Sequence, residues 1–327
     1  MEIRVLRGAE VRELLPMREC IELMAKTMIA VSEGRVVLPL RSVMPMPGDR
    51  GMLGNMPGYI AEPECFGVKL VSLNPRNKPP AHSSHLGLVL LFEPEHGCPV
   101  ALVDAAEITA IRTAAASALA TRLLARPEAC RLALLGAGEQ AQSHLEAMLC
   151  VRRLARIRVW ARDARRAQRF ASVEGAKHGV AIESAATVEE AVRDADIVCT
   201  LTKAREPILE GAWIAPGTHL NVVGSSIAAA AEIDTPTVVR ARFFVDCRNS
   251  TVHEGGEYLR ALEAGAITPQ HILAEIGEVA KGSKAGRLSA DDVTLYKSLG
   301  IAPQDLAATH HVLERARAAG VGQVVDF

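Results

Sequence analysis

Apolar side chains recur every three to four positions in three stretches of the chain, which is the spacing of an amphipathic helix. The stretches are residues 16–33, 105–124 and 305–319. Pro16 suits the first turn of the first helix and Gly34 suits its end, while Pro127 follows the second stretch. We therefore predict three helices, and we expect the second, which is rich in alanine, to connect two domains.

Two different strand patterns occupy the stretches between these helices. Residues 36–103 contain short apolar runs separated by Pro and Gly, which predicts a meander of strands. From Cys130 onward, apolar runs such as RLALLGAG, RIRVWA, DADIVCTLT and THLNVVGSS alternate with helical stretches that start near Glu139 and Ala164. Strands separated by helices of this length form a parallel sheet with right-handed crossovers. The pattern predicts an α/β protein.

Composition and charge narrow the class of protein. At 327 residues the chain is too long for a single core and is expected to form two domains. Its 37 basic and 38 acidic residues leave a net charge of -1, which argues against nucleic acid and membrane surfaces as partners. Seven scattered cysteines lack metal-ligand spacing, so we expect no metal. These cysteines, and an N-terminus without a long apolar run, predict a cytoplasmic location.

A glycine-rich turn between a strand and a helix is the strongest motif in the sequence. It comprises Gly136-Ala137-Gly138-Glu139-Gln140-Ala141, directly after an apolar strand. In a dinucleotide-binding turn the first glycine allows the tight bend, the second lets the backbone approach a pyrophosphate, and the small third residue keeps the helix close to the strand. The helix N-terminus then offers free N–H groups to the phosphates. The motif predicts a nicotinamide cofactor.

The end of the next strand bears on the choice between NADH and NADPH. An NAD-specific site usually has an acidic residue there, but the sequence WARD (160–163) places Ala161 at that position. Arg162 can pair with a 2′-phosphate, so NADPH is favoured, while Asp163 one position later keeps NADH open. Two further loops, Thr200-Leu201-Thr202 and Gly224-Ser225-Ser226, follow predicted strands at the sheet edge where ligands bind.

Seven stretches together resemble the ornithine cyclodeaminase/mu-crystallin family, in particular its ketimine reductase branch. The stretches are RGMLGNMPGY (50–59), VKL around Lys69, SHLGLVLLFEP (84–94), EITAIRTAAASALAT (107–121), LGAGEQAQSH (135–144), EPILEGAWIAPGTHLNVVGSS (206–226) and YKSLGIAPQD (296–305). The resemblance implies a Rossmann-type doubly wound parallel sheet plus a mixed α+β domain that binds substrate and pairs with a second subunit as a homodimer. We assign residues 1–114 to this α+β domain, with residues 303–327 packing back onto it, and residues 115–302 to the NAD(P)-binding domain.

The resemblance also implies an activity and a set of site residues. Family members reduce imines of 2-oxo acids, or oxidise amino acids to such imines, and some cyclise the product with loss of ammonia. Arg41, Lys69 and Arg112 match the contacts to the substrate carboxylate and imine, and a guanidinium fork suits a carboxylate. Lys69 can either protonate the imine nitrogen or bind the carboxylate. His85 and Glu254, in a loop of the form HEGGE, are further candidates for a proton relay. The candidate cofactor contacts also include Thr113, Val223, Lys297 and Gly300.

One departure from the family pattern bears on the reaction. Cyclodeaminating members carry an Asp where this chain has Ser226, and the Pro-Gly-Lys that usually follows is replaced by alanines. The hydroxyl of Ser226 carries no negative charge, whereas the distal ammonium of ornithine needs an anion as its partner. We therefore predict an NAD(P)H-dependent reductase of cyclic ketimines such as 1-pyrroline-2-carboxylate or 1-piperideine-2-carboxylate. The alternatives are an acyclic imino acid reductase or amino-acid dehydrogenase, an ornithine cyclodeaminase, and an NADPH-dependent binding protein without turnover.

Overall fold

The computed structural model of the protein describes residues 2–48, 50–74 and 85–326, apart from the side chain of His85. The chain divides into two compact units, Met1–Arg112 with Ile301–Phe327, and Thr113–Gly300. Because the first division falls between Arg112 and Thr113, a single helix contributes residues to both units. No helix in the described ranges is long and apolar enough to cross a membrane.

The helices and strands are numbered along the chain. The first unit begins with β1 (Glu2–Leu6), α1 (Gly8–Leu14), α2 (Met17–Ser32), β2 (Val36–Val37), β3 (Ser42–Pro45), β4 (Met52–Ala61), β5 (Glu64–Leu73), β6 (His85–Phe92), β7 (Pro99–Asp104) and α3 (Ala105–Leu124). The second unit contains β8 (Arg131–Leu135), α4 (Glu139–Val151), β9 (Arg156–Trp160), α5 (Ala164–His178), β10 (Glu183–Ser184), α6 (Val188–Val192), β11 (Ile197–Thr200), β12 (His219–Val222), α7 (Thr235–Arg240), β13 (Arg242–Val245), α8 (Arg248–Glu254), α9 (Gly256–Glu263), β14 (Ile272–Glu275), α10 (Ile276–Ala280) and β15 (Thr294–Lys297). The chain returns to the first unit as α11 (Ala302–Ala319) and β16 (Gln323–Asp326).

The first unit is built on a mixed sheet. Its strand order is β16-β1-β7-β6-β5-β4-β2, and β3 pairs with β4. Strands β4 to β7 are antiparallel neighbours, so the predicted meander is confirmed, while β1 runs parallel to β7. Helix α11 packs against β4, β5 and α2 through buried side chains that include Leu306, Val312 and Leu313. This packing fixes the first turn of α11 close to β5.

The second unit is built on a parallel sheet. Its strand order is β10-β9-β8-β11-β12-β15-β13-β14, and every neighbouring pair is parallel. The central strands β8, β11, β12, β13 and β15 are buried on both faces, as their near-continuous apolar sequences predict, whereas β10 at one edge is exposed. The strand order reverses between β8 and β11, which makes the carboxyl ends of these strands the expected ligand edge. The predicted α/β fold class is confirmed.

The helix boundaries agree with the periodicity except at α11. Helices α2 and α3 lie where the apolar spacing predicts them, whereas α11 begins at Ala302, three residues before the predicted start. Pro303 occupies the first turn, where its missing N–H costs nothing, and so extends the helix backward. As a consequence Asp305 lies in the first turn of α11 and is buried.

Candidate active site and cofactor site

The glycine turn of the second unit has the geometry that a dinucleotide requires. Gly136 follows β8 with φ +132, and a Cβ there would lie 2.6 Å from the carbonyl oxygen of Leu201. Gly138 caps the N-terminus of α4, and a Cβ built on it meets nothing within 4 Å. Ala141 is fully buried between helix and sheet. The turn therefore leaves open space at the start of α4, where N–H groups can receive a pyrophosphate.

The loop after β9 is positively charged and exposed. Asp163 is the N-cap of α5, and its carboxylate accepts a hydrogen bond from the N–H of Arg165 at 3.0 Å. Arg162 and Arg166 are exposed at the same helix start. Asp163, the residue that left NADH as an alternative cofactor, thus uses its carboxylate to cap a helix. The positive charges of Arg162 and Arg166 suit a phosphate.

Side chains that the sequence predicts to contact the cofactor, at the carboxyl edge of the parallel sheet, are bonded to other side chains of the protein. Thr200 is the last residue of β11, and its hydroxyl donates to Glu232 at 2.6 Å, as the hydroxyl of Thr202 does at 2.7 Å. The hydroxyl of Ser225 donates to Glu257, whose carboxylate is 2.7 Å from the ammonium of Lys297. These side chains therefore brace the loops, which leaves the loop backbone as the surface that can meet a cofactor.

The other predicted cofactor contacts occupy different positions in the second unit. The backbone N–H of Gly300 donates to Asp246 at 2.7 Å, and Thr113 is buried in α3. Val223 directly follows β12 and is buried, whereas Ser226 is half-buried in the same loop. The partial exposure of Ser226 allows a direct ligand contact.

Two of the three predicted substrate cations meet in the first unit on a single carboxylate. Lys69 on β5 and Arg112 on α3 are each 3% exposed, and Asp305 on α11 is fully buried. The ammonium of Lys69 is 3.0 Å from both oxygens of Asp305, and the Nε of Arg112 is 2.9 Å from its Oδ1. One anion faces two buried cations, so the cluster keeps an excess positive charge that a substrate carboxylate can neutralise.

Further contacts orient the two cations. The Nη1 of Arg112 donates to Gln304 at 2.7 Å, and the ammonium of Lys69 donates to the hydroxyl of Thr109 at 3.2 Å. Burial lowers the pKa of Lys69 to about 8, because removing an ammonium from water disfavours its charged form. The charge of Asp305 opposes this shift, while Arg112 and Arg41 add to it. Arg41, in the segment before β3, therefore contributes to the same electrostatic environment as Lys69.

The remaining catalytic candidates are His85 and Glu254. The side chain of His85, at the start of β6, lies outside the described part of the chain. Glu254 belongs to the second unit and is the last residue of α8, not a loop residue as the sequence suggests. The HEGGE stretch is helical on both sides of Gly255, where α8 ends and α9 begins.

Four site residues escaped the sequence analysis: Gln304, Asp305, Glu232 and Glu257. Asp305 ends the matched stretch YKSLGIAPQD, and Glu232 is the single charge in an apolar run, AAAAEI. A buried cation requires a partner, so the apolar surroundings of Lys69 in FGVKLV and of Arg112 in AIRTAAA are the available signal for an acidic residue nearby. The sequence could not say which one.

Comparison with known proteins gives a consistent result over the full length of the chain. The sequence profile of the ornithine cyclodeaminase/mu-crystallin family matches residues 1–320. The ketimine reductase mu-crystallin of Mus musculus is 39% identical over 283 residues, 86% of each chain. The structure of Thermococcus litoralis Delta(1)-pyrroline-2-carboxylate reductase with NADH and L-proline superposes with a TM-score of 0.95 at 34% identity, over 98% of this chain and 99% of that one. An archaeal alanine dehydrogenase dimer with bound NAD has a TM-score of 0.93 at 30% identity and full coverage of both chains.

Proposed function

Because the chain belongs to the ornithine cyclodeaminase/mu-crystallin family, we propose that it is an NAD(P)H-dependent reductase of imines of 2-oxo acids. Its preferred substrates are cyclic ketimines such as 1-pyrroline-2-carboxylate or 1-piperideine-2-carboxylate, and its products are L-amino acids such as proline or pipecolate. The observation that carries this proposal is the buried group of Lys69, Arg112 and Asp305, which has a net positive charge. The solved reductase with NADH and L-proline supports the cyclic substrate.

The reaction needs one hydride and one proton. NAD(P)H, when bound, supplies the hydride to the carbon of the C=N bond, and the nitrogen takes up a proton, so that an imine becomes an amine. The guanidinium of Arg112, held through its Nε and Nη1 by Asp305 and Gln304, is oriented to bind the carboxylate beside that carbon. Lys69 either delivers the proton to the nitrogen or shares the carboxylate, and both roles need its ammonium form.

The preferred cofactor is NADPH. Arg162 is exposed two residues after the end of β9, and the carboxylate of Asp163 is already engaged as the cap of α5, which supports this preference. An arginine pairs with a phosphate through two parallel hydrogen bonds, which NADH cannot form. NADH remains a second cofactor, since the pyrophosphate site at the glycine turn serves both.

The test is a screen of imino acids with both cofactors, followed through the absorbance of the reduced nicotinamide. We expect oxidation of NADPH with a preformed cyclic ketimine in the absence of ammonium. Failure to oxidise either cofactor with any cyclic or acyclic imino acid would contradict the proposal.

An acyclic substrate is the second candidate, and the fit to an alanine dehydrogenase supports it. An acyclic imine forms in water from a 2-oxo acid and ammonia, so this activity would require added ammonium. Turnover of pyruvate that rises with ammonium, without turnover of cyclic ketimines, would favour this candidate over the first.

We also propose that the chain forms a homodimer through its first unit, in a reducing compartment such as the cytoplasm. Large apolar side chains are exposed on and beside β2 and β3, with Val37 59%, Val43 46% and Met44 58% exposed. Exposed apolar side chains on neighbouring strands suit an interaction surface, and the similar alanine dehydrogenase is a dimer. All seven cysteines are free, which fits a reducing compartment.

Light scattering of the Met44→Glu variant tests the dimer. We expect the mass to fall from two chains to one, whereas Leu288→Glu, at an even more exposed apolar residue of the second unit, should remain dimeric. A monomeric wild-type protein would exclude this arrangement.

A further inference from the structure

Two buried carboxylates lie behind the loops at the carboxyl edge of the parallel sheet. Glu232 is fully buried and accepts four hydrogen bonds from these loops. Its Oε2 accepts from the hydroxyl of Thr200 at 2.6 Å and from the N–H of Gly224 at 2.7 Å. Its Oε1 accepts from both the N–H and the hydroxyl of Thr202 at 2.7 Å. One side chain therefore ties the loop after β11 to the loop after β12.

Glu257 extends this connection to a third strand. Its Oε2 is 2.7 Å from the ammonium of Lys297, the last residue of β15. Its Oε1 accepts from the hydroxyl of Ser225 and, at 3.0 Å, from the N–H of Glu232. Since β11, β12 and β15 are consecutive in the sheet, the two carboxylates join the ends of three neighbouring strands.

Burying the carboxylate of Glu232 costs folding free energy unless its oxygens accept hydrogen bonds. Burial raises the pKa of Glu232, and the hydroxyls of Thr200 and Thr202 oppose that rise by hydrogen bonding to the ionised form. The packing is also tight, because a Cβ on Gly224 would lie 2.2 Å from the carbonyl oxygen of Thr202. A buried carboxylate that accepts four short hydrogen bonds, as Glu232 does, holds the loops that it joins in one conformation.

We propose that Glu232 is a positioning residue for the nicotinamide half of the cofactor, with Glu257 as its support. By bonding to Thr200, Thr202 and Gly224 it sets the shape of the loop backbone that receives the nicotinamide ring and its ribose. None of the four hydrogen bonds that the Glu232 carboxylate accepts comes from the glycine turn after β8, which holds the pyrophosphate and adenosine half. The inference rests on the cofactor site proposed above.

The Glu232→Gln variant tests the proposal by comparing two ligands. Glutamine keeps the size of the side chain, but its amide nitrogen cannot accept hydrogen bonds, so at least one loop loses its anchor. We expect the Kd for NADPH to rise about tenfold, as the loss of one hydrogen bond to a charged group predicts. The Kd for 2′-phospho-ADP, which lacks both the nicotinamide and its ribose, should stay within about twofold of the wild-type value.

Asp196→Asn provides the matched control. Asp196 is 4% exposed and precedes the amino end of the same strand β11, where it accepts hydrogen bonds from the N–H groups of Cys130 and Arg131 at 3.0 Å. Removing the negative charge of Asp196 should lower the Tm as much as the Glu232→Gln change does. It should leave the affinities for both ligands unaltered.

Three outcomes separate the possibilities. A selective loss of NADPH affinity in the Glu232→Gln variant supports the proposal. Equal effects on both ligands, or the same effect in Asp196→Asn, would show that Glu232 only stabilises the fold and would overturn it. Wild-type protein that binds neither NADPH nor NADH would overturn the proposed function together with this inference.

Discussion

The ammonium of Lys69 and the guanidinium of Arg112 share the carboxylate of Asp305, and this limits what each cation can do. Asp305 balances one charge, so the second is available to a substrate carboxylate. With a pKa of about 8, Lys69 is mostly protonated at neutral pH but can still release its proton. The sequence predicts both cations through the family resemblance. It does not reveal Asp305, whose contacts span 236 and 193 residues of chain.

Replacing Asp305 with asparagine should change the pH dependence of the reaction. The carboxylate raises the pKa of Lys69 against burial and two arginines, so its removal lowers that pKa further. Because the ammonium is the active form, the decline of kcat/KM on the basic side should move down by roughly one pH unit. The measurement is a pH profile of kcat/KM for one imine, with Glu314→Gln on the exposed side of α11 as control. An unshifted profile would exclude this role for Asp305.

The choice of cofactor should depend on Arg162. Removing the guanidinium in Arg162→Ser takes away a charged partner of the 2′-phosphate, which corresponds to a rise in KM for NADPH of about tenfold or more. The KM for NADH should not change, since NADH has no phosphate there. Arg169→Ser, an exposed arginine further along α5, is the control. Equal KM values for NADPH in Arg162→Ser and wild type would place the phosphate elsewhere.

At the scale of elements, periodicity predicts long helices and buried strands and fails for short ones. Helices α2 and α3 contain 16 and 20 residues, enough for an apolar stripe to repeat several times. The region 235–297 contains five-residue α10 and four-residue β13 to β15, in which no period can be recognised. Lys297 and Glu257 come from this region, so the buried pair that supports the loops could not be located from the pattern.

The turn from β8 into α4 gives a prediction at the same scale. Gly138 has φ -110, which any residue can adopt, and a Cβ there meets no atom within 4 Å. The Gly138→Ala variant should therefore fold with a Tm close to that of wild type. Its new methyl group occupies the space for the pyrophosphate, so the Kd for NADPH should rise by about tenfold or more.

Gly136→Ala serves as the comparison, because its Cβ would collide with the backbone at Leu201 and lower the Tm as well. Full NADPH affinity in Gly138→Ala would show that the pyrophosphate does not approach this turn.

At the scale of the whole molecule, two neutral histidines in the interior of the second unit link stability to pH. His144 and His219 are fully buried, and burial lowers their pKa values to about 4 and about 3. His144 is bonded to the carbonyl of Gln140 at 2.7 Å and to Ser117 at 2.9 Å, and His219 to Thr294 at 3.0 Å. The unfolded chain can protonate both rings near pH 6.5, whereas the folded chain cannot.

The contribution of these two rings to the free energy of unfolding should therefore be constant above about pH 6.5 and fall as the pH drops toward 4, because the unfolded forms of the two rings then bind two more protons than the folded forms. Burial also lowers the pKa values of His310 and His311, which add to the same decline. Each histidine contributes a slope of at most about 1.4 kcal/mol per pH unit in this range. Urea titrations at a series of pH values measure the slope. The slope should be smaller by at most about 1.4 kcal/mol per pH unit in a His144→Gln variant. It should be unchanged in His96→Asn, since His96 is exposed. A stability that stays flat between about pH 6.5 and 4.5 would mean that these rings are protonated in the folded protein, and hence that the interior around α4 and β12 admits charge.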